Sequence, residues 1–182
     1  MSPTTGDRDR HVQLSLPDTS CTVSALVTGA AGFVGSHLVE ALLERGYHVR
    51  GLDNFDTGRR ENLAGVEGHG DFELIDGDVR DEDAVERAVE DVDQVFHQAA
   101  VASVPRSVEN PKLTTAVNCD GTANVLSAAA DAGASDVVFA SSCALYGDGG
   151  ELPKHESMPV DPGTPYALSK YYGEQLTVQF AE

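Results

Sequence analysis

The stretch SALVTGAAGFVGSHLVEALLERG, residues 24–46, constrains this chain more than any other. An apolar, β-rich run (24–29) ends in a turn with glycines at 29, 32 and 35. That turn opens directly into an amphipathic helical pattern (33–46) which stops at Gly46. Strand, glycine turn and helix in this order begin a parallel β–α–β unit. Gly29 permits the tight turn, Gly32 lets backbone approach a diphosphate, and Gly35 lets the helix pack closely on the sheet. The helix N-terminus, where Phe33 and Val34 stand, then offers amides and a positive dipole to an anion. The spacing G-x-x-G-x-x-G departs from the usual G-x-G-x-x-G; the strand before it and the helix after it give it weight.

The alternation continues. Strands are expected at HVRGLDN (48–54), FELIDGD (72–78), DQVFHQAA (93–100) and SDVVFASS (135–142). Helices are expected at 81–91, 111–132 and 164–182, with loops at 64–71 and 148–163. Residues 1–22 read as a flexible leader, and 23–182 as one dinucleotide-binding domain. Repeated strand–helix–strand units predict right-handed crossovers and helices on both faces of the sheet. The fold class is therefore α/β, a doubly wound parallel sheet, with ligand sites at the carboxyl ends of its strands.

An acid is expected after the second strand to hold ribose hydroxyls, and Asp53, followed by Asn54, stands there. A carboxylate repels a 2′-phosphate, so the cofactor is expected to be NAD rather than NADP. Arg59 and Arg60 lie close enough to weaken that preference, or are surface residues or diphosphate-side contacts. Asp78 either receives the adenine amino group or caps the helix starting near Asp81. Late in the chain, TPYALSK (164–170) places Tyr166 and Lys170 one helical turn apart. Alone, this is either an exposed helical turn or a base beside its cation.

Charge excludes several functions. Thirty acidic residues against twelve basic ones leave −18, and only Lys112, Lys154 and Lys170 are lysines. Such a field repels nucleic acid and acidic membrane surfaces. Sparse lysine with abundant aspartate suggests adaptation to high salt, where screening relieves self-repulsion. There is no apolar run of membrane-spanning length and no signal-peptide pattern, so the expected location is cytoplasmic. Cys21, Cys119 and Cys143 are scattered and fit free thiols, with Cys143 expected to be buried. The six histidines show no metal-ligand spacing, and no metal is expected.

These motifs, with GDVRD (77–81), FHQAAVASVPRSVENP (96–111), NCDGT (118–122), SSCALYGD (141–148) and PYALSK (165–170), resemble the extended short-chain dehydrogenase/reductase family. Among its members the chain looks most like nucleotide-sugar epimerases, from about residue 24 onward. The resemblance implies NAD held by Gly29, Gly32, Gly35 and Asp53, with Asp78 and Val79 at the adenine. Ala99 and Ala100 would line the cofactor cleft, and Asn118 would lie near it. Ser142 would be the catalytic serine, Tyr166 the base and Lys170 its partner. Ser103 and Arg106 would approach the sugar or its phosphates. A lysine ammonium one turn from a phenol favours the ionised form, which suits Tyr166 to removing a proton.

The implied activity is epimerisation of a nucleotide sugar, a UDP-hexose or UDP-N-acetylhexosamine, at C4 through a 4-keto intermediate. Rival readings are a dehydrogenase or reductase of the same family, and a non-catalytic NAD-binding fragment. Sugar dehydratases carry Asp-Glu directly after the catalytic Ser/Thr; Cys143 and Ala144 stand there instead, which disfavours that chemistry. The family usually continues well past the Tyr-Lys helix into a small substrate lobe, so the sequence reads as a chain without that lobe and with an uncovered fifth strand. A homodimer through helices 111–132 and 164–182 is also implied.

Overall fold

The computed structural model describes residues 23–149 and 152–180; the expected leader lies outside them. Five strands, β1 (Ser24–Thr28), β2 (His48–Asp53), β3 (Phe72–Asp76), β4 (Gln94–His97) and β5 (Asp136–Phe139), form one sheet. All pairings are parallel, and the order is β3-β2-β1-β4-β5. The chain steps outward from β1 to β3, then returns past β1 to β4 and β5. The reversal opens a crevice at the carboxyl ends of β1 and β4.

Both faces of the sheet are covered, and the side chains of β1 divide between them with the strand's period of two. Leu26 packs with Leu52, Val85, Ala88, Val95 and Val125 on the side of α2 (Glu82–Val89) and α5 (Gly121–Ala132). Ala25 and Val27 pack with Val39, Leu42 and Val49 on the side of α1 (Phe33–Leu43). The doubly wound sheet expected from the alternation is the architecture observed.

Two differences from expectation bear on the site. A short helix, α3 (Val104–Glu109), lies where no element was expected; Ser103 caps it and Pro105 sits in its first turn. The expected helix 111–132 is α4 (Pro111–Thr115), a π turn at Ala116–Asp120, and α5 in one continuous run. The last helix, α6 (Pro165–Phe180), packs against α3, α5 and the end of β5. Among the described residues β5 pairs with β4 alone, and Val138 on it is 50% exposed.

Candidate cofactor and catalytic cleft

A cleft of about 390 Å³ runs along the carboxyl rim of the sheet. Gly29, Gly32, Phe33, Val34 and Gly35 form its floor, and Asp53, Asn54, Asp78 and Val79 its β2–β3 end. Ala99 and Ala100 form its β4 wall, and Tyr166 and Lys170 its far end. The glycine turn is built for close approach. A Cβ on Gly35 would collide with the Gly29 carbonyl oxygen, so nothing larger lets α1 start there. Gly29 has φ +69° and meets the backbone of Ala99. No side chain caps the N-terminus of α1, which leaves its first amides and dipole to an incoming anion. Phe33 and Val34 are largely exposed there. This cradle fits a dinucleotide's diphosphate.

At the β2–β3 end Asp53 is nearly buried. One carboxylate oxygen accepts the Ala31 amide at 2.9 Å, and the other accepts the Phe55 amide at 2.8 Å. Those contacts tie the glycine turn to β2 and leave further lone pairs for ribose hydroxyls. Gly58 lies against the same carboxylate, where a Cβ would come within 2.7 Å of it. Asp78 is not a helix cap: Asp81 caps α2, accepting the Ala84 amide at 3.3 Å. Asp78 instead takes two contacts from the Arg80 guanidinium, at 2.9 and 2.7 Å, and one from Asn54 Nδ2 at 2.6 Å. Those bonds, Arg80 foremost and against the opposing effect of burial, hold its carboxyl at about 2. Arg60 is engaged elsewhere, with Asp76 at 2.7 Å and over the Phe55 ring.

At the far end α6 delivers Tyr166 and Lys170 on one helical turn. Lys170 is 4% exposed, and its ammonium donates to the Ala140 carbonyl at 2.9 Å. Burial lowers its pKa to about 8. Tyr166 is held through its backbone: its amide donates to Ser107 Oγ at 3.1 Å, and Ser107 Oγ donates to the Val104 carbonyl at 2.7 Å. The fully buried Ser107 thus joins α3 to the start of α6. Sequence reasoning missed it, because nothing marks one serine of SVPRSVENP as the joint.

The serines after β5 divide in an unexpected way. Ser141 lines the cleft and donates to Glu174 Oε2 at 2.6 Å. Ser142 does not line the cleft; its Oγ accepts the Ala144 amide at 3.2 Å and caps a 3₁₀ turn at Cys143–Tyr146. That bond occupies an acceptor site and leaves the Ser142 hydroxyl proton free to be donated. Cys143, expected to be buried, is exposed, because the turn points it outward. Cys119 is a free thiol too, raised in pKa by burial first and then by Asp120; Cys21 lies outside the described residues.

Behind the floor runs a buried polar chain. Thr122 Oγ1 spends its one proton on the Asn118 carbonyl, at 2.7 Å, so at 2.9 Å it can only accept from His97 Nε2. Nδ1 is then bare and accepts from Thr28 Oγ1 at 2.7 Å, while Thr28 accepts the Ala99 amide at 3.1 Å. Burial, aided by the Lys170 charge, pushes His97 down to about 3, which keeps the ring neutral. Asn118, expected beside the cofactor, lies behind the wall instead. Its Oδ1 accepts the Val101 amide at 2.7 Å, and its Nδ2 donates to Ser169 Oγ at 2.9 Å. Ser103 and Arg106 also stand off the cleft lining: Ser103 Oγ accepts the Arg106 amide at 3.3 Å, and the Arg106 guanidinium reaches Asp56 at 2.7 Å. Asp56, Thr57 and Gly58 line the cleft and were not anticipated; their position just after Asp53 was the available signal.

Glycines that admit a diphosphate where the strand order reverses make this a dinucleotide-binding α/β protein. More narrowly, the chain belongs to the NAD dependent epimerase/dehydratase family, whose model matches residues 25–182. It is 45% identical over 151 residues to UDP-glucose 4-epimerase of Mycolicibacterium smegmatis, covering 82% of this chain and 48% of that protein. It is 40% identical over 156 residues to UDP-glucuronic acid decarboxylase 1 of Danio rerio, covering 83% of this chain and 36% of that one. The crystal structure of the Thermus thermophilus UDP-glucose 4-epimerase in complex with NAD matches with a TM-score of 0.79 at 42% identity, covering 87% of this chain and 51% of that chain. The chain thus spans about half the length of its epimerase relatives or less. Its family is NAD-dependent, and NAD is the cofactor.

Proposed function

We propose that this chain carries the cofactor and acid–base half of an NAD-dependent nucleotide-sugar 4-epimerase acting on a UDP-hexose or UDP-N-acetylhexosamine. The observation that carries the reading is the pairing of Tyr166 with a buried Lys170 at the end of a cleft fitted for a dinucleotide. Gly29, Gly32, Phe33, Val34 and Gly35 would hold its diphosphate, and Asp53, Asn54, Asp78 and Val79 its adenosine side. Ala99 and Ala100 would form the wall beside it. Bound there, NAD supplies an acceptor for the C4 hydride that can later return it.

Tyr166 takes the proton of the sugar 4-hydroxyl as that carbon is oxidised, and gives it back when the 4-keto sugar is reduced on its other face. Lys170, one helical turn on, brings its ammonium to the same end of the cleft as the phenol. Ser142 stands next to the lining residue Ser141 with its hydroxyl proton uncommitted, and would donate to the reacting oxygen of a sugar seated just beyond that lining, stabilising its developing charge. Relatives include a decarboxylase as well as epimerases. Cys143 and Ala144, next after Ser142, supply no acid–base pair for eliminating water. The reading extends to a cytoplasmic, salt-adapted homodimer joined through residues 111–132 and 164–182, supported by the exposed Leu168 and Tyr172 on α6 and the net charge of −18.

The test is to incubate the chain with NAD and UDP-glucose and follow UDP-galactose. Tyr166→Phe is expected to slow interconversion by about 10²–10⁴ while NADH still binds. Failure of the unmodified chain to bind NADH, or interconversion by Tyr166→Phe at the unmodified rate, would overturn the proposal.

A further inference from the structure

The cations near the cleft are few and mostly committed. Arg80 is held by Asp78, Arg60 by Asp76, and Lys170 by the Ala140 carbonyl. Arg106 is committed differently. Its partner Asp56 lies in the loop after β2 and lines the cleft, whereas Arg106 belongs to α3, after β4. Strands β2 and β4 are not neighbours, because β1 lies between them. Their ion pair, 2.7 Å long, therefore ties the β2 side of the cleft to helix α3, which follows the β4 wall, across the end of β1, where the glycine turn sits.

Both ends of the tie are fixed. The Asp56 amide donates to Asn54 Oδ1 at 3.0 Å, so the carboxylate follows the adenosine end of the site. Arg106 is anchored by its amide on Ser103 Oγ, and α3 is pinned to α6 through buried Ser107. The pairing side chains themselves are 34% and 53% exposed, which leaves the link able to open and open to screening by salt.

We propose that Asp56 and Arg106 are cofactor-retaining residues, whose ion pair closes over the diphosphate of bound NAD and has to open for NAD to leave. The inference needs only NAD binding and stands apart from the sugar chemistry. A cross-tie and simple charge steering predict opposite signs, which makes the idea separable. Removing an acid from beside an anion's site should slow release if only the field matters. Removing half of a closing pair should speed it.

The experiment is stopped-flow displacement of NADH from the full chain by excess NAD at low salt. Asp56→Asn and Arg106→Gln are each expected to release NADH about two- to fivefold faster, the range an exposed ion pair supports. The double variant should be no faster than the quicker single one, because both changes break the same link. Raising salt to molar levels should speed release from the unmodified chain and leave Asp56→Asn nearly unchanged, whereas screening of the net negative charge alone would slow release. Release from Asp56→Asn at or below the unmodified rate would overturn the proposal. So would a double variant whose effects multiply, or unmodified release that does not quicken with salt.

Discussion

Among single residues His97 carries consequences well beyond its size. It is 1% exposed, sits between two hydroxyls, and satisfies both only as the neutral ring protonated at Nε2. His97→Leu would strand the Thr28 hydroxyl proton without an acceptor, at a cost of about 1–3 kcal/mol, while Thr122 keeps its bond to the Asn118 carbonyl. The pH dependence has a definite sign. The folded pKa, about 3, lies below that of an unfolded histidine near 6.5, so the unfolded chain takes up a proton first. The stability that neutral His97 contributes is present above pH 6.5 and lost as pH falls from there toward 3. Urea unfolding between about pH 7 and pH 4 should show the unmodified chain losing more stability than His97→Leu does. Parallel curves would remove the buried-neutral account.

At the scale of elements, the joint between α3 and α6 decides where the Tyr-Lys turn points. Ser107→Ala deletes the acceptor of the Tyr166 amide and a donor to the Val104 carbonyl, with an expected loss of about 1–3 kcal/mol in thermal or urea unfolding. Elements were unevenly legible in the sequence. The strands and their helices were plain, because apolar periodicity and glycine turns are local signals. Helix α3 was not, since SVPRSVEN is short, contains a proline, and is stabilised by packing on α6 rather than by its own pattern. The π turn at 116–120 was hidden for a related reason: it turns Asn118 inward to Val101 and Ser169, and only the assembled wall creates those partners. Within the site, the glycines and Asp53 were readable from spacing, whereas spacing left the Tyr166–Lys170 pair open and only the family resemblance gave it a role. Which of two adjacent serines faces the cleft was not, because that depends on a turn after β5 and on Glu174 a helix away.

For the molecule as a whole, a charge of −18 is the governing fact. Like charges repel in the compact state, and added salt shortens the range of that repulsion. Thermal unfolding followed by circular dichroism is therefore expected to move to higher temperature from low to molar salt, with light scattering reporting a dimer at the salty end. A melting point that does not move, or a monomer throughout, would remove the salt-adapted homodimer. The outer edge of β5 has a further consequence. A sixth strand laid parallel along it would cover Val138 and run toward the same rim as its neighbours. Its final residues would emerge beside Ala140 and Ser141, so whatever segment completed the sheet would also bring new side chains to the end of the cleft where the phenol and the ammonium stand.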